Sequence, residues 1–232
     1  MPKDRFFHPG DFTKNETLLI EGEEARHIRT VMRKSSGDTI ELINGRGSLA
    51  NALIDTTEHK KGLYCTVTEV LTKDKPKLKS TLVQSIIRPQ KLELVTEKAC
   101  ELGVTHILFV RSDRSDKSSP KLSRLEHIAT GALKQSGRLY LPTFAEVDSL
   151  QAALELLEGS ALFFGAMDGA AFSKQSASEE SLAFFVGPEG GFSDAELKLL
   201  KERNALGVNL GPYVLRSETA SILACGLMAR SS

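Results

Sequence analysis

The sequence has few cysteines, no tryptophan and no net charge. Its three cysteines, Cys65, Cys100 and Cys225, are widely spaced and form no Cys-x-x-Cys pair, which argues against a disulfide framework or a cysteine zinc site. They are expected to be reduced and to pack as small apolar residues. No apolar run approaches the roughly 20 residues that a membrane span needs, and residues 1–10, MPKDRFFHPG, are charged where a signal peptide would be apolar. These absences predict a cytoplasmic protein that has no membrane anchor.

Several catalytic signatures are also missing. The chain has no Gly-x-Ser-x-Gly, no His-Glu-x-x-His, no P-loop and no Gly-x-Gly-x-x-Gly. The five histidines are scattered without the spacing of metal ligands. A hydrolase or a dehydrogenase is therefore disfavoured, and no metal is expected.

The zero net charge hides an uneven distribution. Residues 1–75 have 12 basic and 12 acidic side chains, residues 76–145 have 12 and 6, and residues 146–232 have 6 and 12. A basic middle segment can present a phosphate-binding face, but an ordinary solvated surface explains a modest excess about as well. Charge alone therefore leaves both interpretations open.

The sequence pattern changes at residues 72–80, TKDKPKLKS, where lysines and a proline are typical of a linker. Before this stretch, alternation predicts short strands such as residues 38–43 and 63–71, with one helix over residues 23–34. We place a domain boundary near residue 75, which gives domains at residues 1–74 and 75–232.

Apolar strands alternate with amphipathic helices in the second part of the chain. Helices are predicted around residues 92–102 and 122–133. The predicted strands are residues 81–87, 104–110, 161–165, 182–187 and 207–211. This order indicates an α/β fold with a mostly parallel sheet that helices cover. Such sheets bind ligands at the carboxyl ends of their strands.

Two glycine-containing loops follow strands of this predicted sheet. The first, VGPEGGFSDAEL at residues 186–197, has three glycines before Ser193, which forms a predicted capping box with Glu196. The second, LGPYVLRSETA at residues 210–220, leads into the last predicted helix. Glycines let a ligand approach backbone N–H groups, although a plain tight turn also explains one pair of them. Two such loops at one edge of a sheet predict a single pocket.

Together the two loops closely resemble the paired signatures of the SPOUT-class bacterial methyltransferases that modify N3 of a uridine in 16S ribosomal RNA. The resemblance extends in the family's order through RFF (5–7), HIRTVMRKSSGDTIELINGRG (27–47), EKACELGVTHI (97–107), RSDRS (111–115) and KQSGR (134–138). It implies an N-terminal PUA-like β-barrel and a C-terminal α/β domain tied in a trefoil knot. It also implies S-adenosylmethionine as cofactor, 16S rRNA or the small ribosomal subunit as partner, a homodimer and no metal. Only the resemblance implies the knot, because chains almost never thread loops.

The resemblance further implies the residues of the site. Those expected to bind the cofactor are Phe164, Gly165, Ala166, Gly187, Pro188, Glu189, Gly190, Gly191, Leu210, Gly211, Val214, Leu215, Arg216 and Thr219. Arg216 and Arg138 are candidates to stabilise the uracil anion that forms when N3 loses its proton, and Glu218 or Glu189 to accept that proton. A structural interpretation of Glu218 stays open, since a carboxylate is favoured at a helix N-terminus and can pair with Arg216.

RNA contacts are expected from the basic side chains near the predicted strand ends and from the small barrel. They are Arg5, Arg29, Arg33, Arg111, Arg114, Lys117, Lys121, Lys134, Gln135 and Arg138, with Gln135 a candidate to read the uracil edge. The family usually has Glu where this chain has Lys134, which makes Lys134 a possible extra phosphate contact. Two alternatives remain: a SPOUT enzyme that acts on another RNA nucleotide, and a non-catalytic RNA-binding ribosome-assembly factor.

Overall fold

A computed structural model describes residues 4–56, 62–172 and 180–229. Within these ranges the chain forms two compact units. The first comprises Met1–Lys75 together with Leu133–Leu141, and the second comprises Pro76–Ala132 together with Pro142–Ser232. The first stretch of the first unit ends at Lys75, which is where the sequence predicts a domain boundary. The second stretch, Leu133–Leu141, lies far beyond that boundary along the chain.

The first unit is built on a five-stranded sheet. Its strands are β1 Arg5–Phe7, β2 Thr17–Glu21, β3 Thr39–Ile43, β4 Ser48–Thr56 and β5 Gly62–Thr72. Their order is β1-β3-β4-β5-β2, in which β1 and β3 are parallel and the other neighbours are antiparallel. One face carries the core, because alternate residues such as Ile40 and Leu42 or Leu63 and Cys65 are buried.

The helix of the first unit is shorter than predicted. Helix α1 spans Gly22–Arg26 and continues as a single π-helical turn over His27–Val31. The predicted continuous helix over residues 23–34 is therefore wrong at its end. Arg33 has a φ of 54°, which lies outside the right-handed helical region and redirects the chain toward β3.

The second unit is a three-layer α/β structure. Its strands are β6 Lys79–Ser85, β7 His106–Val110, β8 Thr143–Val147, β9 Ala161–Ala170, β10 Ser181–Val186 and β11 Leu206–Val208. They form one parallel sheet in the order β11-β9-β10-β6-β7-β8. The helices are α2 Pro89–Glu101, α3 Leu122–Ser136, α4 Leu150–Leu156, α5 Asp194–Glu202 and α6 Ser217–Ala229; the last turn of α3 belongs to the first unit.

Both faces of the parallel sheet are apolar, which explains the continuous apolar runs in the sequence. Along β10, Leu182 and Phe184 pack in one cluster with side chains of α2 and α6. Ala183 and Phe185 point to the opposite face and pack with side chains of α4 and α5. Burying a phenylalanine side chain completely contributes about 1.5–3 kcal/mol. The predicted α/β class is confirmed.

Strand β9 differs most from the prediction. It continues five residues beyond Gly165, the predicted end, and pairs with β11 through a register shift at Gly207 and Val208. A Cβ on Gly169 would lie 2.6 Å from the backbone carbon of Gly207, so glycine allows this close approach. Strand β8 was not predicted, because it is short and only partly buried. Helix α4 was not predicted either.

The three cysteines are free and buried, as predicted. Burial raises the pKa of the Cys65 and Cys225 thiols to about 12. In the parts of the chain that the structure describes, no helix combines the length and the apolar character needed to cross a membrane.

Candidate active site

A cavity of about 730 Å³ opens at the carboxyl ends of the parallel strands in the second unit. Three segments surround it: the second half of β9, the loop after β10 and the loop before α6. Of the residues predicted to bind the cofactor, those that line the cavity are Phe164, Gly165, Ala166, Gly187, Pro188, Glu189, Gly190, Gly191, Leu210, Gly211, Val214 and Leu215. The volume is within the range of small-molecule pockets.

The loop after β10, residues 187–192, owes its shape to its glycines. Gly191 has a φ of 69° and donates its N–H to the Pro188 carbonyl at 2.9 Å, which closes a tight turn. A Cβ on Gly187 would lie 3.2 Å from the Phe192 nitrogen. The predicted capping box follows at once: Ser193 caps α5 and Glu196 returns a bond to the Ser193 N–H. Part of the glycine content therefore serves the fold of the loop itself, in addition to exposing its backbone to the cavity.

Two predicted cofactor residues, Arg216 and Thr219, do not line the cavity. Ser217 and Ala220 do, and they are three residues apart on α6 and share one face of the helix. Arg216, just before α6, and Thr219 are exposed. Direct contact between the cofactor and these two residues therefore stays a prediction, which the lining of the cavity does not by itself support.

Arg114, predicted to bind RNA, holds the loop after β10. Its guanidinium donates to the carbonyl of Gly190 at 2.7 Å and more weakly to that of Phe192 at 3.4 Å. Asp113, its neighbour, donates its N–H to Glu196 at 2.9 Å and accepts a bond from the Ser193 hydroxyl. The segment after β7 is thus attached to the cavity wall, and Arg114 already has acceptors.

Lys91, which the sequence analysis missed, joins both predicted proton acceptors. Its Nζ is 3.1 Å from Glu189 Oε1 and 3.1 Å from Glu218 Oε2. Burial acts to raise the pKa of Glu218, but the carboxylate's own backbone N–H, Lys91 and Arg216 together lower it below its usual value. The hydrogen bonds that Lys91 donates to Glu189 and Glu218 raise the pKa of Lys91. Both shifts favour the charged forms of Lys91 and Glu218.

A buried polar chain supports the first turn of α6. Gln84, at the end of the central strand β6, donates to Ser217 Oγ at 3.2 Å and accepts from Ser221. The Ser217 hydroxyl in turn donates to the Gly187 carbonyl at 2.6 Å. Buried polar groups are stable only when they are paired, as they are here, so this network fixes the cavity wall.

The predicted RNA contacts of the first unit have mixed surroundings. Arg5 is paired with Glu41 at 2.7 Å and its side chain is only 10% exposed, and its contact with phosphate stays a prediction. Arg33 is exposed, and Arg29 is half-buried with interactions of its own.

Lys134, predicted as an extra phosphate contact, is ion-paired within the protein, and its contact with phosphate stays a prediction. Its Nζ lies 2.5 Å from Glu24 Oε1, and the two side chains are 23% and 20% exposed. Both residues belong to the first unit. The charge that this chain gains over the family pattern is therefore neutralised locally. Gln135 is exposed, and Arg138 is half-buried and has interactions within the described structure.

The remaining predicted contacts lie between β7 and α3. Lys117 and Lys121 are exposed. Arg111 is partly exposed and forms a salt bridge with Glu146 at 3.1 Å. Lys117 and Lys121 are therefore the more accessible cations of this stretch.

Several residues that line the cavity were missed. They are Met167, Asp168, Gly169, Ala170, Val186, Phe192, Leu197, Lys201, Ala205, Gly207, Tyr213, Ser217 and Ala220. Those on β9 were missed because the predicted strand ended at Gly165. The spacing of Ser217 and Ala220 could have identified them once the start of α6 was known. Within residues 4–56, 62–172 and 180–229, no group of three or more His, Cys, Asp or Glu side chains is arranged to hold a metal ion.

Comparison with protein families gives two matches that cover most of the chain. A family described as "RNA methyltransferase domain" matches residues 73–229, and one described as "RNA methyltransferase PUA domain" matches residues 20–68. Proteins named ribosomal RNA small subunit methyltransferase E are similar throughout. The protein from Rickettsia conorii is 30% identical, over 97% of this chain and 94% of its own length. The protein from Bacillus subtilis is also 30% identical, over 90% and 88%.

Solved structures are similar over the whole chain as well. The ribosomal RNA small subunit methyltransferase E of Neisseria gonorrhoeae, bound to S-adenosylmethionine, has a TM-score of 0.87 and 26% identity and covers 98% of this chain and 97% of its own. A Legionella pneumophila protein solved with the same cofactor has a TM-score of 0.87 and 28% identity, with coverage of 99% and 98%. The likeness therefore extends over both units and their order along the chain.

Proposed function

Because the chain belongs to the RNA methyltransferase family, with the family's PUA domain before it, we propose that it methylates N3 of one uridine in 16S ribosomal RNA. It is a methyltransferase that uses S-adenosylmethionine and acts on small-subunit ribosomal RNA. The choice of N3 rests on the paired motifs at residues 186–197 and 210–220.

The cavity is the observation that carries this function. Its lining combines exposed glycine backbone at residues 187–191 with apolar side chains such as Phe164, Leu210 and Leu215. An adenosine moiety needs such a mixture, with flat apolar walls for the base and backbone groups for its polar edge. Two carboxylates, Asp168 and Glu189, also line the cavity and suit a cofactor with a positive sulfonium. The residues present therefore fit S-adenosylmethionine.

When bound, the cofactor supplies an electrophilic methyl group on sulfur. The chain contributes geometry, because holding the uracil N3 in line behind that methyl group removes much of the entropic barrier. We assign this positioning to residues 187–191 and 210–215. Arg114 holds the carbonyl of Gly190, and Ser217, which Gln84 supports, holds the carbonyl of Gly187.

The N3 proton must leave before N3 can attack. Glu218 is a weak acceptor in this structure, since its pKa is lowered and Lys91 is paired with it. We therefore favour electrostatic stabilisation of the uracil anion, with Arg216 as the group that supplies it and Glu218 as its neighbour at the start of α6. Arg138 remains a second candidate for this role, and Glu189 remains a candidate proton acceptor.

RNA binding is assigned to residues 1–74, the PUA-like domain, and to the basic segment of the methyltransferase domain at residues 75–232. Lys117, Lys121 and Arg33 are exposed and suit phosphate contacts, and Gln135 is exposed and suits contact with a base.

Two further parts of the proposal concern the whole protein in the cell. We propose a homodimer, supported by exposed apolar side chains around the cavity mouth; Tyr213 and Val214 are 78% and 83% exposed. We also propose that the protein is cytoplasmic, because small-subunit ribosomal RNA is its substrate.

The test is transfer of labelled methyl from S-adenosylmethionine to naked ribosomal RNA and to intact small subunits from cells that lack the enzyme, followed by nucleoside analysis. Label in 3-methyluridine is expected from one of the two substrates. Label in a different methylated nucleoside would contradict the N3 assignment and indicate a related enzyme with another target. No label in any RNA, with cofactor binding intact, would indicate a non-catalytic RNA-binding factor.

A further inference from the structure

Lys91 lies where its own helix does not stabilise its positive charge. It lies in the first turn of α2, where no acidic side chain is present and where the positive end of the helix dipole disfavours a cation. Its side chain is 26% exposed, so the ammonium group is not simply solvated surface. The stabilising contacts must come from elsewhere in the fold.

Those contacts join three separate elements around the cavity. Glu189 belongs to the loop after β10 and lines the cavity, whereas Glu218 lies in the first turn of α6 beside Arg216. Both carboxylates are 3.1 Å from the same nitrogen. They are therefore within about 6 Å of each other, a distance at which two unscreened negative charges repel strongly. Lys91 is the cation between them.

We propose that Lys91 is a positioning residue for methyl transfer, which fixes the cofactor loop at Glu189 against the Arg216–Glu218 segment of α6. The proposal rests on the proposed function and adds a residue to it. Through Glu189, Lys91 shapes the cofactor cavity; through Glu218, it sets the charge and direction of the segment that carries the proposed anion-stabilising arginine.

The charges around the cluster determine what removal of Lys91 does. Lys91 from α2, Glu189 from the loop, and Glu218 and Arg216 from the start of α6 face one another. Without Lys91, the two carboxylates face each other with no cation between them and only Glu218 keeps the nearby charge of Arg216, so the loop that carries Glu189 is pushed outward. The pKa of Glu218 then rises, because a positive neighbour is lost while its partial burial remains.

Helix α2 offers a matched control. Lys98, two turns further along, also bridges two glutamates, with Nζ 2.7 Å from Glu97 and 2.9 Å from Glu101. Its side chain is 33% exposed, close to that of Lys91. Both glutamate partners lie in α2 itself, so Lys98 joins no second element. Lys98→Met thus removes the same kind of ion-pair cluster from the same helix without touching the cavity wall.

The experiment uses the full-length protein and compares Lys91→Met, Lys91→Arg and Lys98→Met. Calorimetry gives the Kd for S-adenosylmethionine without RNA, and methyl transfer to ribosomal RNA gives kcat, KM and their pH dependence. For Lys91→Met we expect about a tenfold higher cofactor Kd and a lower kcat, since the mostly buried carboxylate of Glu218 loses its charged partner. The acid limb of the pH profile of methyl transfer should move to higher pH. Lys91→Arg should restore most of each quantity, and Lys98→Met should match the wild type in all of them.

Two results would overturn the proposal. One is a Lys91→Met protein with the Kd, kcat and pH profile of Lys98→Met. The other is a Lys91→Met protein with a lower melting temperature but an unchanged Kd and pH profile, which would make Lys91 a stability residue only. If Lys91→Met does not fold, Lys91→Gln in a Glu189→Gln background replaces it: a much smaller effect there than in the wild-type background is expected, and equal effects would refute the link.

Failure of the proposed function is distinguishable from failure of this inference. A wild-type protein that binds S-adenosylmethionine but methylates no RNA would contradict the function. The Kd comparison among the three variants would still decide whether Lys91 shapes the cavity.

Discussion

Arg216 and Glu218 are two residues apart but have different surroundings. Arg216 is exposed and does not line the cofactor cavity, whereas Glu218 is mostly buried and paired with Lys91. An exposed guanidinium beside the cavity is free to meet a substrate that enters from solvent. The geometry thus separates a group that suits contact with the uracil from a group that anchors its neighbours.

Arg216→Ala is expected to lower kcat about 100-fold, as the loss of one anion-stabilising donor does. The Kd for S-adenosylmethionine should stay near the wild-type value, because Arg216 is outside the cavity lining. Methyl-transfer kinetics and calorimetry measure the two quantities, with Arg203→Ala, an exposed arginine at the end of α5, as the control. A weaker cofactor Kd with unchanged kcat would assign Arg216 to cofactor binding instead.

Lys134 shows how one substitution relative to a family pattern is accommodated. It is ion-paired with Glu24 in a partly buried site. The usual family residue at this position, Glu, would place two carboxylates together here.

Lys134→Glu is therefore expected to lower the free energy of unfolding by about 2 kcal/mol, because it leaves Glu24 facing a like charge. The double variant Glu24→Lys with Lys134→Glu should regain most of that loss, since the pair is restored in reverse. Urea unfolding of both variants and of Glu24→Lys alone completes the double-mutant cycle. Additive losses in the double variant would show that the two side chains are not coupled.

At the scale of elements, the capping box of α5 does more than begin a helix. Ser193 caps α5 and also donates to Asp113, while Glu196 accepts the Asp113 N–H. The segment after β7, which carries Arg114, is thereby attached to the loop that lines the cavity. A local helix signal thus becomes part of the cofactor site.

Ser193→Ala should lower the free energy of unfolding by about 1 kcal/mol, the usual cost of losing an N-cap. It should also weaken S-adenosylmethionine binding, because Arg114 and the loop lose a support. Ser149→Ala is the control: Ser149 caps α4 through a bond from Ala152 at 3.2 Å and does not line the cavity. Equal effects of the two variants on cofactor Kd would argue against the attachment.

At the scale of the whole molecule, the charge of each third of the chain matters more than the net value of zero. The basic excess lies at residues 76–145 and the acidic excess at residues 146–232. Some of the basic residues, among them Arg111 and Lys134, are paired with carboxylates. Fewer cations are therefore available to phosphate than the sequence suggests.

The observed RNA-binding constant is expected to fall steeply with salt concentration, since each phosphate contact releases counterions. Replacing Lys117 and Lys121 together by alanine should reduce the slope of log K against log salt by about 1–2. Fluorescence anisotropy with a ribosomal RNA fragment measures it. Lys198→Ala, which removes an exposed cation from the acidic third, should leave the slope unchanged. A slope that is flat in the wild type would exclude a phosphate-binding role for the basic segment.

Much of the fold could be predicted from the sequence, because side-chain periodicity is a local property. The alternation in β3 and β5, the apolar run of β10 and the capping box at Ser193 all appear as predicted. The family motifs predicted the segments that surround the cavity. The trefoil knot stays a prediction of the resemblance.

The sequence by itself determined the α/β class, the two glycine-containing loops of the site and the family. Only the tertiary structure decided which side chains of those segments act together. The pairs Lys91–Glu218, Lys134–Glu24 and Arg114–Gly190 join residues that are far apart in the chain. A charge pair contributes only at short range and in a fixed orientation, and no sequence pattern encodes a distance between distant segments. For that reason the sequence did not show that some basic residues expected to bind RNA are paired within the protein. The ion pairs of Lys91 were likewise visible only in the structure.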